Sequence, residues 1–128
     1  MKLLLDTQVL LWAAADSAQL PSAARGMIED SDNLLTFSAA SLWEIAEKST
    51  LGRVDFRADV RSLRRGLLDN GYVELEITGR HVVAVARLPA LHKDPIDRML
   101  IAQATADNMV LLTVDPLIAR YPGPVQMF

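Results

Sequence analysis

The chain has 128 residues, of which 51% are hydrophobic and 23% charged, and it contains no cysteine. This length and composition predict one globular domain over residues 1–128, and they exclude a largely disordered chain and a secreted scaffold held by disulfides. The formal net charge of −3 gives no general attraction to nucleic acids or membranes, so a polyanionic substrate would require a local metal ion or basic patch.

The chain begins with a short apolar run that predicts a buried strand at residues 2–5, followed by a helix at residues 7–15. Asp6 and Gln8 interrupt the apolar residues, so this stretch is too short for a membrane span and lacks the continuous apolar region of a signal peptide. Because the chain also lacks cysteine, we expect a cytoplasmic protein without disulfides.

Helices and strands alternate through the next part of the chain. Pro21 stands at an early helical position, where its missing N–H costs little, and Ser38 or Ser41 provides the N-cap of a later helix. The predicted elements are a helix at 21–30, a strand at 34–37, a helix ending near residue 49 and a loop at 51–55.

The second half of the chain continues this alternation. An amphipathic pattern that starts at Phe56 predicts a helix ending at Asn70–Gly71, and the next helix is expected to bury Val82, Val85 and Ala86. The remaining predicted elements are a strand at 72–76, helices at 78–87 and 95–107, a strand at 109–114, a helical turn after 115 and an edge strand at 125–128.

Strands that alternate with helices require crossover connections, which predict an α/β fold with a parallel β-sheet flanked by α-helices on both faces. The runs 3–5 and 110–114 are largely apolar, as expected for strands buried on both faces. Ligands of such folds bind beyond the carboxyl ends of the strands, so functional side chains are expected at this edge of the sheet.

Acidic residues stand at the positions of the sequence that lead to this edge. Asp6 and Asp115 each follow a predicted strand directly, and Glu44 lies in the first turns of the helix after the second strand. Asp94 and Asp97 stand at the start of the helix at 95–107. We therefore expect these carboxylates to face the same crevice.

Each acid also has an ordinary structural interpretation, which is favoured when the acids are taken singly. Asp6 and Asp115 can cap the helices that follow them, as can Asp94. Ser41 and Glu44 match a capping box, and Glu44 could form an i,i+4 ion pair with Lys48.

The convergence of the acids favours a metal site. Several carboxylates facing one another repel at neutral pH unless a cation neutralises them. With no cysteine and two histidines in the chain, a thiolate site or a histidine-rich zinc site is excluded. A site of carboxylate oxygens suits Mg²⁺ or Mn²⁺, which can activate water and stabilise the charge of a phosphoryl displacement.

Five motifs, spread over nearly the whole chain, carry a family resemblance. They are LLDT at 4–7, SLWEIA at 41–46, HKDPIDR at 92–98, IAQA at 101–104 and LLTVD at 111–115. In this order the motifs resemble those of PIN-domain ribonucleases, specifically the VapC-type toxins of bacterial toxin–antitoxin systems. The resemblance implies a PIN-like fold and a Mg²⁺-dependent endoribonuclease, with Mn²⁺ as the alternative ion, that leaves a 5′-phosphate and a 3′-hydroxyl.

The resemblance also assigns the site residues. Asp6 and Asp97 match the primary metal ligands, and Glu44 and Asp115 match the acids that complete the shell. Asp94 and Arg98 are candidate helper residues next to this set. The sequence departs from the pattern of many relatives at one position, where Gln8 replaces histidine. This change leaves the metal ligands intact and leaves open the effect on substrate contact or rate.

The resemblance implies two protein partners beside the RNA substrate, a VapB-like antitoxin and a second copy of the chain. The main alternative is a PIN nuclease of RNA maturation that has no antitoxin. A catalytically inactive PIN-like binding module and a phosphoaspartate receiver are the remaining hypotheses. The receiver requires a lysine after a late strand, whereas the last lysine of this chain is Lys93.

Several basic residues allow both a structural and a functional interpretation. A stripe of arginines opposite the apolar face of the predicted helix from Phe56 is expected to be a solvated face, with RNA phosphates or an acidic partner as the alternative. Arg98 is expected either to bind phosphate or to pair with a carboxylate. The stripe consists of Arg57, Arg61, Arg64 and Arg65.

The histidines and tryptophans favour structural roles. His81 and His92 lack the sequence spacing of metal ligands and are expected to be surface or capping residues. For His92, which lies near the acidic helix start, contact with the substrate is the alternative. Trp12 and Trp43 fall on apolar helix faces and are expected to anchor the core or an interface, where binding of an antitoxin peptide is one option.

Overall fold

A computed structural model describes residues 1–52 and 59–128 of the chain. These residues contain five strands and seven helices. In chain order the elements are β1 (Lys2–Leu5), α1 (Thr7–Ala14), α2 (Ser22–Glu29), β2 (Leu34–Ser38), α3 (Ala39–Thr50), α4 (Val60–Asp69), β3 (Val73–Leu75), α5 (Gly79–Val85), α6 (Pro95–Ala106), β4 (Val110–Thr113), α7 (Pro116–Ala119) and β5 (Val125–Met127).

The five strands form one parallel sheet in the order β3-β2-β1-β4-β5. The first strand lies at the centre, where Leu4 stands opposite Thr36 on one side and Leu111 on the other. Because all strands run in the same direction, β1, β2 and β4 end at the same edge of the sheet. The predicted parallel α/β fold is confirmed.

Alternate residues of the central strands supply two separate hydrophobic cores. Leu3 and Leu5 pack on one face with residues of α1, α2 and α4, whereas Leu4 packs on the other face with residues of α6 and α7. Leu112 and Leu111 divide between the two faces in the same way. All these leucines are fully buried, which explains why the two central strands are almost continuously apolar.

The start of α3 differs in part from the prediction. Ser38 is the N-cap, and its Oγ accepts a hydrogen bond from the backbone N–H of Ala40 at 3.0 Å. The predicted capping box of Ser41 with Glu44 is wrong, because Ser41 already lies inside the helix and its Oγ accepts a hydrogen bond from the hydroxyl of Thr7 at 3.0 Å. This bond holds α3 against α1.

The buried face of α5 was predicted wrongly for two of three residues. Val82 and Ala86 are exposed and Val85 is half-buried, whereas His81 is fully buried. The reason is a polar contact at the end of α6: Nε2 of His81 lies 2.9 Å from a carboxylate oxygen of Asp107. A hydrophobic pattern alone does not reveal such a polar contact.

Two further comparisons with the sequence concern the ends of elements and membrane spans. The predicted helix start at Phe56 and most of the predicted loop at 51–55 lie outside the described residues, which resume at Asp59, the N-cap of α4. Among the residues that the structure describes, no helix combines the length and the apolar character needed to cross a membrane.

Candidate metal centre

The structure brings Asp6, Glu44, Asp97 and Asp115 to one cleft at the carboxyl edge of the sheet. β1 and β4 deliver two of them at their ends, and α3 and α6 deliver the others. The cleft has a volume of about 240 Å³. Its lining consists of Asp6, Thr7, Gln8, Glu44, Lys48, Asp94, Asp97, Val114, Asp115 and Ile118.

Asp6 is a helix cap and a cleft residue at once. One carboxylate oxygen accepts a hydrogen bond from the backbone N–H of Val9 at 2.8 Å, and the other accepts one from the hydroxyl of Thr113 at 2.5 Å. Burial is the main cause that raises the pKa of Asp6 to about 6, and the charges of Asp115 and Glu44 contribute to this rise. The two hydrogen bonds act in the opposite direction and limit the rise. The side chain is therefore rigidly placed but carries its charge at an electrostatic cost.

Asp97 stands in the first turn of α6, behind the N-cap residue Asp94. An oxygen of Asp94 accepts hydrogen bonds from the backbone N–H groups of Ile96 at 2.8 Å and Asp97 at 3.1 Å. Burial is the main cause that raises the pKa of Asp97 to about 7, and the charges of Asp94 and Glu44 contribute to this rise. The neighbouring His92 acts in the opposite direction and limits the rise. Without a cation, the cleft therefore resists full ionisation near neutral pH.

Glu44 is 9% exposed and divides its two oxygens between a partner and the cleft. Oε2 accepts a hydrogen bond from Nζ of Lys48 at 2.6 Å, so the predicted i,i+4 ion pair is confirmed. Oε1 is buried and has no hydrogen-bond partner among the described residues. A buried carboxylate oxygen without a donor is unfavourable unless a cation or water molecule satisfies it.

Asp115 is tied to Asp6 through a shared hydroxyl group. Oγ1 of Thr113 accepts a hydrogen bond from the backbone N–H of Asp115 at 3.0 Å while it donates to Asp6. Oδ1 of Asp115 also caps α7, because it accepts a hydrogen bond from the backbone N–H of Leu117 at 2.9 Å. The side chain of Asp115 is 34% exposed, compared with 17% for Asp97, so this acid is the more open of the two to solvent.

His92 lies against two acids of the cleft, a position that was not predicted from the sequence. Its Nε2 lies 2.9 Å from Oδ2 of Asp97 and 3.5 Å from Oδ2 of Asp115. The donor atoms of these three residues all lie within 4.8 Å of one another, a grouping that could hold a metal ion. The signal that could have revealed this is its place two residues before Asp94, where the chain turns into α6. The other histidine, His81, is a capping residue as predicted, but it is buried rather than on the surface.

Arg98 points away from the acids. Its guanidinium donates hydrogen bonds to the carbonyl oxygens of Pro89 at 2.9 Å and Val85 at 3.2 Å, and to the hydroxyl of Tyr121 at 3.1 Å. None of these partners is a carboxylate, so the pairing with an acid expected as one alternative is not formed among the described residues. Arg98 therefore fastens the segment that leads from α5 to His92.

The residues of the cleft fit a divalent cation. Carboxylates from four elements surround a small space, and their oxygens are the ligands that Mg²⁺ and Mn²⁺ prefer. The unpartnered Oε1 of Glu44 and the raised pKa values of Asp6 and Asp97 are both expected where several acids are packed for an ion.

The described arginines of the stripe and the two tryptophans lie outside the lining of this cleft. Arg64 pairs with Glu74 through two hydrogen bonds of 2.7 and 3.0 Å, Arg61 and Arg65 are exposed, and Arg57 lies outside the described residues. Trp12 packs at the edge of one core as predicted. Trp43, the neighbour of Glu44 in α3, is 59% exposed and so does not anchor the core.

Comparisons with known proteins show the family and the fold of the chain. The chain is 29% identical to Ribonuclease VapC22 of Mycobacterium tuberculosis over 127 residues, which cover 98% of this chain and 97% of that protein. Its fold is similar to VapBC2 from Rickettsia felis bound to a DNA fragment from their promoter, with a TM-score of 0.73, 15% identity and coverage of 99% and 98% of the two chains. DNA-bound VapBC from Salmonella typhimurium gives a TM-score of 0.70, 17% identity and the same coverage. The PIN domain family matches residues 3–124, and this chain is therefore a member of the PIN-domain family.

Proposed function

We propose that this protein is the toxin of a toxin–antitoxin pair and acts as a Mg²⁺- or Mn²⁺-dependent endoribonuclease. The observation that carries the proposal is the convergence of Asp6, Glu44, Asp97 and Asp115 in one cleft of a PIN-domain chain. The similarity to Ribonuclease VapC22 over nearly the full length of both proteins supports RNA as the substrate.

The carboxylates have distinct roles in this proposal. Asp6 and Asp97 hold the cation directly, because they are the acids whose pKa is raised in the cleft and whose charge therefore most needs a counter-ion. Glu44 and Asp115 complete the shell, in part through water molecules. When bound, the cation supplies positive charge for a phosphate group and lowers the pKa of a water molecule.

The neighbouring groups of the chain prepare these acids for their task. Thr113 fixes the orientation of Asp6, and Lys48 takes up one oxygen of Glu44 and leaves Oε1 for the cleft. Such partners of metal ligands typically contribute to metal affinity. Because water is the attacking group, hydrolysis does not require the ribose 2′-hydroxyl. The family resemblance implies that the bond from phosphorus to the 3′-oxygen breaks, which leaves a 5′-phosphate and a 3′-hydroxyl.

We propose a VapB-like antitoxin as the partner, seated beside the cleft. Trp43 and Val82 are more than half exposed and line a groove of about 350 Å³ together with Met99. The groove uses α3 and α6, the same helices that carry Glu44 and Asp97, so a bound segment would lie next to the acids. The fold relatives found in VapBC complexes support this kind of partner. A second copy of the chain is the other proposed partner.

Cleavage of tRNA and ribosomal RNA on denaturing gels tests the nuclease proposal. We expect discrete fragments from the wild type with Mg²⁺ or Mn²⁺ and none with EDTA. Asp97→Asn should abolish cleavage, whereas Asp69→Asn, which removes an exposed acid of α4 outside the cleft lining, should not. Equal cleavage by the wild type and Asp97→Asn would contradict the proposal.

Binding of the product of a short reading frame directly upstream tests the partner proposal. We expect this protein to form a complex with the toxin and to inhibit cleavage. Trp43→Ala should weaken the complex by at least about tenfold, as for an exposed aromatic anchor of an interface, while Trp43→Phe retains more of the affinity. An unchanged affinity in Trp43→Ala would show that the groove is not part of the interface. If no such reading frame lies upstream and the protein still cleaves RNA, a role in RNA maturation would be favoured.

A further inference from the structure

We infer that His92 is a positioning residue of the metal centre, which donates a hydrogen bond from Nε2 to the carboxylates of Asp97 and Asp115 and is not itself a metal ligand. The inference rests on the proposed function and deepens it. Nε2 lies 2.9 Å from an oxygen of Asp97 and 3.5 Å from an oxygen of Asp115, so its role is decided by whether this nitrogen carries a hydrogen.

The other ring nitrogen answers that question. Nδ1 of His92 lies 3.3 Å from the backbone nitrogen of Asp94, which donates a hydrogen bond to it. A backbone amide always carries its hydrogen, so Nδ1 presents a lone pair. A neutral imidazole has one N–H group, which is then on Nε2. A histidine that binds a metal through Nε2 instead donates from Nδ1, and the amide of Asp94 offers no acceptor for that hydrogen.

The ring is anchored from the backbone side. The backbone N–H of His92 donates to the hydroxyl of Tyr121 at 2.8 Å, and the same hydroxyl accepts a hydrogen bond from Arg98 at 3.1 Å. The side chain of His92 is only 12% exposed. These contacts keep the imidazole against the two carboxylates and give Arg98 an indirect effect on the site.

Nε2 of His92 lies close to the acids, but the angle of this contact is not that of a hydrogen bond. Nε2 is buried and forms no hydrogen bond of good geometry with any residue in the described ranges. Since Nε2 lies 2.9 Å from Oδ2 of Asp97, a change in the orientation of the ring or the carboxylate is enough to form this hydrogen bond.

Titration calorimetry with Mg²⁺ and, separately, Mn²⁺ gives the first test. Loss of an outer hydrogen-bond partner typically weakens metal affinity by about 10- to 100-fold, so we expect this loss in His92→Ala for both ions. His92→Gln should recover most of the affinity, since an amide N–H can reach nearly the same place as Nε2. Lys93→Gln, at the exposed neighbouring position, is the matched control and should leave the affinity unchanged.

Nitrogen NMR of histidine-labelled protein saturated with Mg²⁺ gives the second test. The chain has two histidines, so the spectrum of His92→Gln identifies the signals of His81 by itself. We expect Nε2 of His92 to be protonated and Nδ1 to be unprotonated.

The outcomes separate the inference from the proposed function. An unprotonated Nε2 of His92 in the Mg²⁺-saturated protein, or an unchanged affinity of His92→Ala for Mg²⁺ and Mn²⁺, would overturn the positioning role. Either result would leave the proposed cation site unaffected. A wild type that binds neither Mg²⁺ nor Mn²⁺ overturns the proposed function and this inference with it.

Discussion

Single carboxylates in this protein serve as helix caps and as cleft residues at the same time. Asp6 uses one oxygen for the N–H of Val9, and Asp115 uses one for the N–H of Leu117. The capping bonds fix the side chains at a sheet edge where a ligand can reach the remaining atoms. The structural and functional interpretations of these acids are therefore complementary.

The sequence identified the acids of the cleft but not the state of each one. The motif positions of Asp6, Glu44 and Asp97 follow from the family resemblance. Burial, which raises the pKa of Asp6 and Asp97, depends on the packing of several elements that are distant in sequence. The hydroxyl contact of Asp6 with Thr113 joins residues 107 positions apart, beyond the reach of any local pattern.

The raised pKa values predict a stability that depends on pH in the metal-free protein. The pKa of Asp6 is about 6 and that of Asp97 about 7 when folded, compared with an ordinary value of 3.8. The folded chain thus binds more protons than the unfolded chain between about pH 4 and pH 7, so its free energy of unfolding falls as pH rises through this window. We expect a loss on the order of 4 kcal/mol, measured by urea unfolding with EDTA at pH 5 and pH 8.

Asp97→Asn provides the control for this prediction. The amide cannot ionise, so the part of the pH dependence that comes from Asp97 should disappear and the variant should unfold less readily than the wild type at pH 8. A wild type whose metal-free stability rises from pH 5 to pH 8 would show that these acids are not confined as the structure places them.

At the scale of elements, the start of α6 connects folding with the site. At this helix start, the side chain of Asp94 accepts hydrogen bonds from two backbone N–H groups, one of which belongs to Asp97. These bonds fix the first turn of the helix. The proline at position 95 begins the helix without losing a hydrogen bond. The sequence predicted this helix start correctly, because Asp-Pro is a strong local pattern.

Substitutions of Asp94 separate its capping role from its charge. Asp94→Ala should lower the free energy of unfolding by about 1 kcal/mol through loss of the N-cap. Asp94→Asn keeps a good cap and should have stability close to that of the wild type, and it should lower the pKa of Asp97 because a neighbouring negative charge is removed. Thermal unfolding and the pH dependence of cleavage measure the two effects. Equal destabilisation by both substitutions would mean that charge, not capping, supports the helix.

Contacts between distant elements account for the elements that were predicted wrongly. The buried face of α5 is set by His81, which meets Asp107 directly after α6, 26 residues away. Of the two serines predicted as the cap of α3, Ser38 is the cap, and its hydroxyl donates to Gln103 at 2.6 Å across 65 residues, whereas the capping box of Ser41 with Glu44 is not formed. Local hydrophobic patterns carry no information on such polar pairs.

At the scale of the whole molecule, the strand order explains where the cleft lies. From the central strand β1 the chain moves to β2 and β3 on one side, and β4 and β5 are added on the other. Crevices of parallel α/β sheets form where the strand order reverses, beyond the carboxyl ends of the strands. In this sheet that place is the β1–β4 boundary, which carries Asp6 and Asp115. The alternation of elements predicted the sheet and its functional edge, but strand order depends on long-range pairing such as Leu4 with Leu111.

The cleft also predicts that the whole fold is stabilised by divalent cations. A ligand that binds only the folded state raises its stability by about 2.7 kcal/mol at a hundredfold excess over its Kd. We expect Mg²⁺ to raise the Tm of the wild type and of Asp69→Asn at pH 8, and to have little effect on Asp97→Asn. An equal rise in all three proteins would place the ion outside the cleft.

The most direct test of a cation-dependent nuclease is the rate of RNA cleavage as a function of Mg²⁺ concentration, measured side by side for the wild type and Asp97→Asn. We expect the wild-type rate to rise with Mg²⁺ and to reach half its maximum at the concentration that half-saturates binding. Asp97→Asn should be slower by at least about a hundredfold, because a cation contributes several kcal/mol to such reactions. A rate that does not depend on Mg²⁺ and is the same in both proteins would contradict the assignment of this cleft as the metal centre.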